Sequence, residues 1–380
     1  MSNNEPPKIL FLVTHLHKGG MQRAISNISK SLVDAGIPHE IAYFGKDEIV
    51  FQYYAKLIDL NAEGKKNELL FIKMFRFIKR LLLLQRLIIK NDIDIIVSFG
   101  IISNLINIFT YNKKTITTIR SYAEVNSNFG TTTLLTSLMK LIYKYSDNIV
   151  CVSEDLKYEM IERSFASTNK ISVINNLFDT ETINKLANEQ ITKTNKIIFE
   201  KQVIINLSSL VPDKGHIYLI NSFYKAKQEI HNLQLVILGS GPFEEEIKLH
   251  INSLDLNKSV HLLGFKKNPF KYLAKSDLYV HTSLYEGFPN SLVEAMICGL
   301  PVISTNCKTG PSEILMKKYG ILVENINKSN HLIVEKNISN HIVDLLKAKN
   351  NLYYRSQALL RSKEYSIDKL SKKWIELLTK

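Results

Sequence analysis

The chain has 380 residues, 45% of them apolar and 22% charged, a composition that excludes a disordered or fibrous protein and a length that exceeds one ordinary core. Its formal net charge of +13 calls for an anionic partner, and nucleotide, membrane surface and nucleic acid all qualify. The opening MSNNEPPKILFLVTH has no basic segment followed by a long apolar one, so neither a signal peptide nor a spanning helix is expected, and Cys151, Cys298 and Cys307 show no metal or redox spacing and read as free thiols of a reducing compartment.

In chain order, KILFLVT (8–14) predicts a first buried parallel strand, followed by a Gly19-Gly20 loop and a helix. Those glycines let backbone approach a ligand, and the helix start aims amides at it, although many tight turns also carry a Gly-Gly pair. The arrangement is not GxGxxG, which counts against hydride transfer. Strand-like runs HEIAYFG, KLIDL, DIIVSFG, TITTI, NIVCVSE and ISVINN then alternate with helical stretches, the pattern of a doubly wound sheet.

KKNELLFIKMFRFIKRLLLLQRLIIK is both very apolar and basic. Lys73, Arg76, Lys79 and Arg80 recur at three- and four-residue spacing and predict one basic helical face, whose charges argue against a spanning helix. Either this is a core helix with a solvated basic face or it lies on an anionic membrane; Phe71, Phe75 and Phe77 exceed what one core stripe needs and favour the membrane. A nucleic-acid reading finds no recognisable module.

The polar stretch 181–201 reads as a linker between a first domain over 1–180 and a second over 202–364. Lys214-Gly215 offers a cation and free amides at a helix mouth, a sensible diphosphate site. LQLVILGSGP is a strand and a glycine turn whose glycines serve a tight turn equally well. From Asp277 onward, DLYVHTSLYEGFPNSLVEAMICGLPVIST reads as a βαβ unit: a strand, a break at Glu286-Gly287-Phe288-Pro289, a helix stopped at Gly299, and a strand from Pro301 to Ser304. Seven residues separate Glu286 from Glu294, which puts one acid in the loop and the other about one turn into the helix, both near a crevice beyond the strand ends. The amides from Asn290 to Val293 are expected to be free donors for a phosphate. Ser291 to Glu294 also spells a capping box, in which Glu294 would only close its own helix. NINKSNHLIVEKNIS shows little pattern, and SIDKLSKKWIELLTK ends the chain as a helix with Leu370, Trp374, Leu377 and Leu378 on one face.

The string EGFPNSLVEAMICGLPVIST closely resembles the two-glutamate signature of retaining glycosyltransferases of family 4 (glycosyl transferases group 1). That resemblance covers most of the chain and implies an α/β GT-B fold, two Rossmann-like doubly wound domains facing each other across a cleft, with a helix over about 365–380 packing back on the first. It implies that Glu294 holds ribose hydroxyls and Glu286 the donor sugar's, that Gly287, Phe288, Asn290 and Ser291 line the same pocket, and that Lys214 and the Gly19 and Gly20 amides stabilise the leaving diphosphate. The loop from Phe265 to Pro269 would hold the base.

The chain departs from the family pattern at two places: Ser209 stands where an arginine is usual, five residues before Lys214, and Arg120 stands near the usual place of a histidine. A lost charge-assisted hydrogen bond costs about 1.5–3 kcal/mol, so either another cation such as Arg120 substitutes or donor binding is weaker than the family pattern implies. Arg120, Ser121 or nothing replaces the histidine, and a surface arginine is an equally good reading of Arg120. Asp92-Ile93-Asp94 resembles the metal-binding pair of another transferase class but merely leads into a strand, and no metal or cofactor is expected.

The implied activity is retaining transfer from a UDP-hexose, UDP-N-acetylhexosamine or GDP-mannose to a lipid-linked oligosaccharide, by a front-face mechanism. GFKKNPFKYL and NCKTGPSEIL look most like members that build lipopolysaccharide O-antigen or capsule, as peripheral proteins on the inner face of the cytoplasmic membrane. A GT-B epimerase or hydrolase, or a non-catalytic partner in polysaccharide assembly, would share the fold.

Overall fold

Runs of four to six apolar residues bounded by turns form strands covered on both faces, so they show no alternation. In the computed structural model, which describes residues 6–45, 48–64, 68–126, 133–347 and 351–379, every residue of β1 (Ile9–Val13) is buried. It heads a parallel sheet with β2 (His39–Tyr43), β3 (Lys56–Asp59), β4 (Ile95–Phe99), β5 (Lys114–Ile119), β6 (Asn148–Cys151) and β7 (Ile171–Val173). Spatial order is β3-β2-β1-β4-β5-β6-β7, so the winding reverses between β1 and β4.

A second parallel sheet contains β8 (Val203–Leu207), β9 (Gln234–Leu238), β10 (Val260–Gly264), β11 (Leu278–His281), β12 (Val302–Thr305) and β13 (Ile321–Val323). Its order β10-β9-β8-β11-β12-β13 reverses between β8 and β11. A ligand crevice opens beyond the carboxyl ends of strands at such a reversal. The loops after β8 and β11 carry Lys214 and Glu286 respectively, so both residues are delivered to that point.

Contacts group the chain into two units, one running to Phe178 and including the C-terminal helix, the other spanning Asp179–Ser366. Helix Ile367–Thr379 packs on helix Gly20–Asp34, with Leu370, Trp374 and Leu378 buried, Leu377 half-buried, and the Lys114 ammonium donating to the Leu377 carbonyl at 3.1 Å.

Two sequence expectations need correction. The stretch 181–201 is no free linker: it carries helix Thr180–Ala187 and belongs to the second unit. The Asn268 amide donates to Leu186 O and to Glu189, both at 2.9 Å, and the Phe199 and Tyr272 rings lie 5.9 Å apart. Scattered Ile183, Leu186, Ala187 and Phe199 are too few to show a period, but Ile183 and Ala187 are buried, and Leu186 and Phe199 meet partners from outside the segment. NINKSNHLIVEKNIS likewise runs into a long helix, His331–Lys347, because Val334, Ile338 and Ile342 recur every four residues and bury against the second core. No helix among the described residues is long and apolar enough to cross a membrane.

Candidate functional site

The reversal point of the second sheet is stitched by side chains that the sequence reading passed over. Asn206, buried on β8, donates its amide to the Val280 carbonyl of β11 at 2.8 Å. The next turn is tied to the strand opposite: Thr282 Oγ1 donates to Lys214 O at 3.1 Å, Leu284 N–H donates to Asp213 O at 2.8 Å, and the Tyr285 hydroxyl donates to the Asp213 carboxylate. Gly215 sits at φ 66°, and a Cβ there would lie 2.1 Å from the Thr282 carbonyl oxygen. Only glycine lets the two loops close to this distance.

This closure brings Lys214 and Glu286 together, with Nζ 2.5 Å from Oε1. Ser283 Oγ donates to the same oxygen at 2.7 Å, and His281 Nε2 lies 3.2 Å from it. Glu286 N–H donates to Lys308 O at 3.1 Å and Thr309 Oγ1 donates to Glu286 O, which fixes the loop backbone as well. Burial alone would raise the Glu286 carboxyl, but the Lys214 ammonium, the His281 hydrogen bond and its charge hold it well below the usual carboxylate range. The site therefore presents a fixed carboxylate, suited to accept hydrogen bonds from sugar hydroxyls.

Helix Asn290–Ile297 follows, with Glu294 buried in its second turn. The capping-box reading fails: Pro289 is the cap residue and Ser291 is already helical, where its hydroxyl takes the Tyr279 phenol at 2.7 Å instead. The run of free amides is also shorter than expected, since Leu292 N–H donates to Pro289 O at 3.1 Å. Gly287 and Phe288 are buried, the Phe288 ring meeting Tyr365 at 5.4 Å. Asn290 and Ser291 are half-buried at the helix mouth.

Ser209 is exposed, while its neighbour Ser208 bonds Asn206 at 2.7 Å and His216 at 3.0 Å. The Gly239-Ser240-Gly241 turn packs directly on this loop: a Cβ at Gly239 would lie 1.8 Å from Ser208 O, and one at Gly241 would lie 2.2 Å from Leu210 O. Its glycines thus shape the Ser209 loop. The base-site loop runs from exposed Phe265 to buried Pro269, and Asn268 Oδ1 accepts the Phe270 amide at 3.0 Å.

In the first unit Gly19 precedes helix Gly20–Asp34 directly, after β1 at that sheet's own reversal. Arg120, expected as a surface arginine or a substitute cation, instead bonds Asn176 Oδ1 and lies 5.7 Å from the Phe99 ring centroid. Burial lowers its pKa to about 10. Asp92 and Asp94 both bond Lys113, at 3.1 and 2.7 Å, and Asp94 also takes the Lys8 amide at 2.8 Å, so this pair serves the strand entrance.

The basic helix, Leu70–Asn91, departs most from expectation; Lys65 to Asn67 before it lie outside the described residues. Arg76 pairs with Glu68, Lys79 Nζ donates to Asn61 O at 3.1 Å, and Arg80 is buried, its Nε donating to Ala62 O at 2.9 Å and its guanidinium 4.6 Å from the Phe44 ring centroid. Of the four predicted membrane cations only Lys73 stands in solvent without such a partner. A shared helical face was legible, but not that the first unit's own carbonyls and carboxylate would occupy it.

Two doubly wound parallel units, with a fixed carboxylate and a lysine at one reversal point, form a ligand-binding architecture, and solved structures agree on the fold. A crystal structure of Anabaena HepE in complex with UDP and glucose superposes with a TM-score of 0.79 at 19% identity, covering 98% of this chain and 99% of that one, which gives the GT-B fold. Residues 18–182 match the model of Glycosyltransferase Family 4, and residues 188–350 that of Glycosyl transferases group 1. Both units thus match glycosyltransferase models, which together span most of the chain. An uncharacterized glycosyltransferase of Methanocaldococcus jannaschii is 35% identical over 62% of this chain and 64% of its own length. The N-acetylgalactosamine-N,N'-diacetylbacillosaminyl-diphospho-undecaprenol 4-alpha-N-acetylgalactosaminyltransferase of Campylobacter jejuni is 33% identical over half of each chain. The match thus spans between half and two thirds of these relatives.

Proposed function

We propose that the protein moves a sugar from a nucleoside-diphosphate sugar to a lipid-linked oligosaccharide with retention at the anomeric carbon, in the assembly of a bacterial surface polysaccharide. The observation that carries this reading is the Lys214–Glu286 pair, a carboxylate kept ionised and an ammonium 2.5 Å away where the second sheet reverses. Glu286 accepts donor-sugar hydroxyls, Glu294 the ribose hydroxyls, and Lys214 offsets the charge that develops on the departing diphosphate. A phosphate oxygen of that leaving group takes the acceptor's proton, so no separate base or metal is required. UDP-sugars are the favoured donors, since the Anabaena neighbour binds UDP and glucose. The lipid-linked acceptor is favoured by the undecaprenol-linked substrate in the Campylobacter relative's name.

Such an acceptor implies work at the inner face of the cytoplasmic membrane. Helix Leu70–Asn91 supports this through its apolar residues, because Leu70, Phe71, Met74, Phe75, Ile78 and Leu82 are all exposed. The test is a donor panel of UDP- and GDP-sugars, monitoring nucleoside diphosphate release with and without detergent-solubilised undecaprenyl-diphosphate-linked glycan. Acceptor-dependent release that disappears in Glu286→Ala is expected; acceptor-independent turnover would instead favour an epimerase or hydrolase.

A further inference from the structure

All the side-chain contacts that Glu286 makes fall on one of its two oxygens. Lys214 Nζ, Ser283 Oγ and His281 Nε2 converge on Oε1 at 2.5, 2.7 and 3.2 Å, and no described side chain reaches Oε2. His281 is the least expected of the three: it is the last residue of β11, it is buried, and nothing in the two-glutamate string points to it.

The ring is held from both sides. A carboxylate only accepts, so the proton facing Glu286 sits on Nε2. Nδ1 lies 3.0 Å from Ser304 Oγ on β12, whose own hydroxyl proton goes to the Thr305 carbonyl at 2.9 Å. Two adjacent strands thus set the orientation of the imidazole and pass that order to the carboxylate.

We propose that His281 is a positioning residue: together with Lys214 and Ser283 it pins Oε1 of Glu286, so that Oε2 is the oxygen presented to the donor sugar. This rests on the reading of Glu286 as the acceptor of sugar hydroxyls. Pinning one oxygen stops the carboxylate from rotating and leaves one oxygen in a fixed place to accept, which is the preorganisation that discrimination among epimeric hydroxyls requires. Other titratable groups in the field of Glu286 are Tyr279 on β11, Tyr285 in its own loop and Cys307 after β12. Burial raises all three, so they remain neutral and Lys214 and His281 are the groups that set its charge.

The experiment follows the acid titration of Glu286 in the full chain by its 13C carboxyl resonance, assigned with Glu286→Gln, in the wild type, His281→Leu, His281→Gln and Ser304→Ala. This readout needs no substrate. His281→Leu is expected to move the midpoint up by about one pH unit or more, as loss of a hydrogen bond to a charged group implies. His281→Gln, which places an amide donor near Nε2, is expected to restore it. Ser304→Ala, which releases Nδ1, is expected to shift it in the same direction by less, and keeps the test alive if the leucine variant does not fold.

The second arm measures turnover of UDP-glucose, UDP-N-acetylglucosamine and GDP-mannose. A roughly tenfold lower kcat/KM in His281→Leu, recovered in the glutamine variant, is expected. An unmoved titration in folded His281→Leu and Ser304→Ala, with Glu286→Gln inactive, overturns the positioning role alone. Glu286→Gln turning over donor like the wild type overturns both this role and the reading of Glu286 beneath it.

Discussion

Two carboxylates, one in each unit, are taken largely out of water and end in opposite charge states. Glu286 follows β11 and receives an ammonium, a hydroxyl and an imidazole N–H on Oε1, which hold it ionised. Glu124 follows β5 and is 7% exposed. Its Oε1 takes the Arg120 amide at 2.9 Å, while Oε2 is buried without a hydrogen-bond partner among the described residues. Burial pushes its carboxyl up to about 7, against the smaller pull of the Arg120 amide and charge and of the Ser121 amide. Burial alone favours the neutral acid in both; the number and charge of the donors decides the sign.

The sharpest way to break this comparison is to take the ammonium from Glu286. Lys214→Met leaves that carboxylate with the Ser283 hydroxyl and the His281 imidazole in the same buried place, so its pKa is expected to rise and donor turnover to fall about 10²–10³-fold. The acid limb of the kcat/KM profile should move to higher pH. A variant with unchanged limb and unchanged turnover would show that Ser283 and His281 suffice and that Lys214 is only a surface cation.

Glu124 gives the opposite sign. Its folded value lies above the unfolded one of 4.5, so the folded state holds a proton that the unfolded chain has released. Its contribution to stability is complete below that unfolded value and declines as pH rises toward about 7, by about 3 kcal/mol in all. The groups facing it are Arg120 in its own loop, Tyr143 from helix Thr133–Tyr143 and Cys151 of β6, and burial keeps both the phenol and the thiol neutral across this window. Glu124→Gln should remove that slope and raise the denaturant midpoint at pH 8 relative to the wild type, with little change at pH 4.5. A variant equally destabilised at both values would mean that Glu124 is ionised in the folded protein.

The same contrast explains what was legible in the sequence. Doubly wound sheets announce themselves through buried parallel strands and glycine turns, and Lys214 and Glu286 stand out because each follows such a strand directly. His281 and Asn206 gave no signal, since a lone polar residue inside an apolar run acquires meaning only from the neighbouring strand that it meets. The alternative of a Ser291–Glu294 cap falls because Pro289 is the cap residue, which moves Ser291 from cap to interior. The stretch 181–201 failed for the same reason as His281: its partners, Asn268 and Tyr272, lie some eighty residues further along the chain.

Helix Leu70–Asn91 extends the comparison to a cation and carries the smallest effects. Arg80 has been taken out of water like Glu286, but its partners are neutral, the Ala62 carbonyl and the Phe44 ring. It serves the fold, and Arg80→Met, which keeps most of the stem in place, should cost about 1 kcal/mol and leave lipid binding unchanged. Phe71, Phe75, Ile78 and Leu82 fall at i, i+4, i+7 and i+11, so they share one face, and each is more than half exposed. Arg86 and Lys90 are exposed on the same helix. If this face enters a bilayer, Phe71→Asp with Phe75→Asp should lower partition onto phosphatidylglycerol-containing vesicles at least tenfold, since each phenylalanine contributes about 1.5–3 kcal/mol when fully buried. Sedimentation with vesicles separates the two cases. Equal loss in Arg80→Met and in the phenylalanine pair would restore the basic face as the lipid contact; loss in the pair alone assigns it to the apolar one.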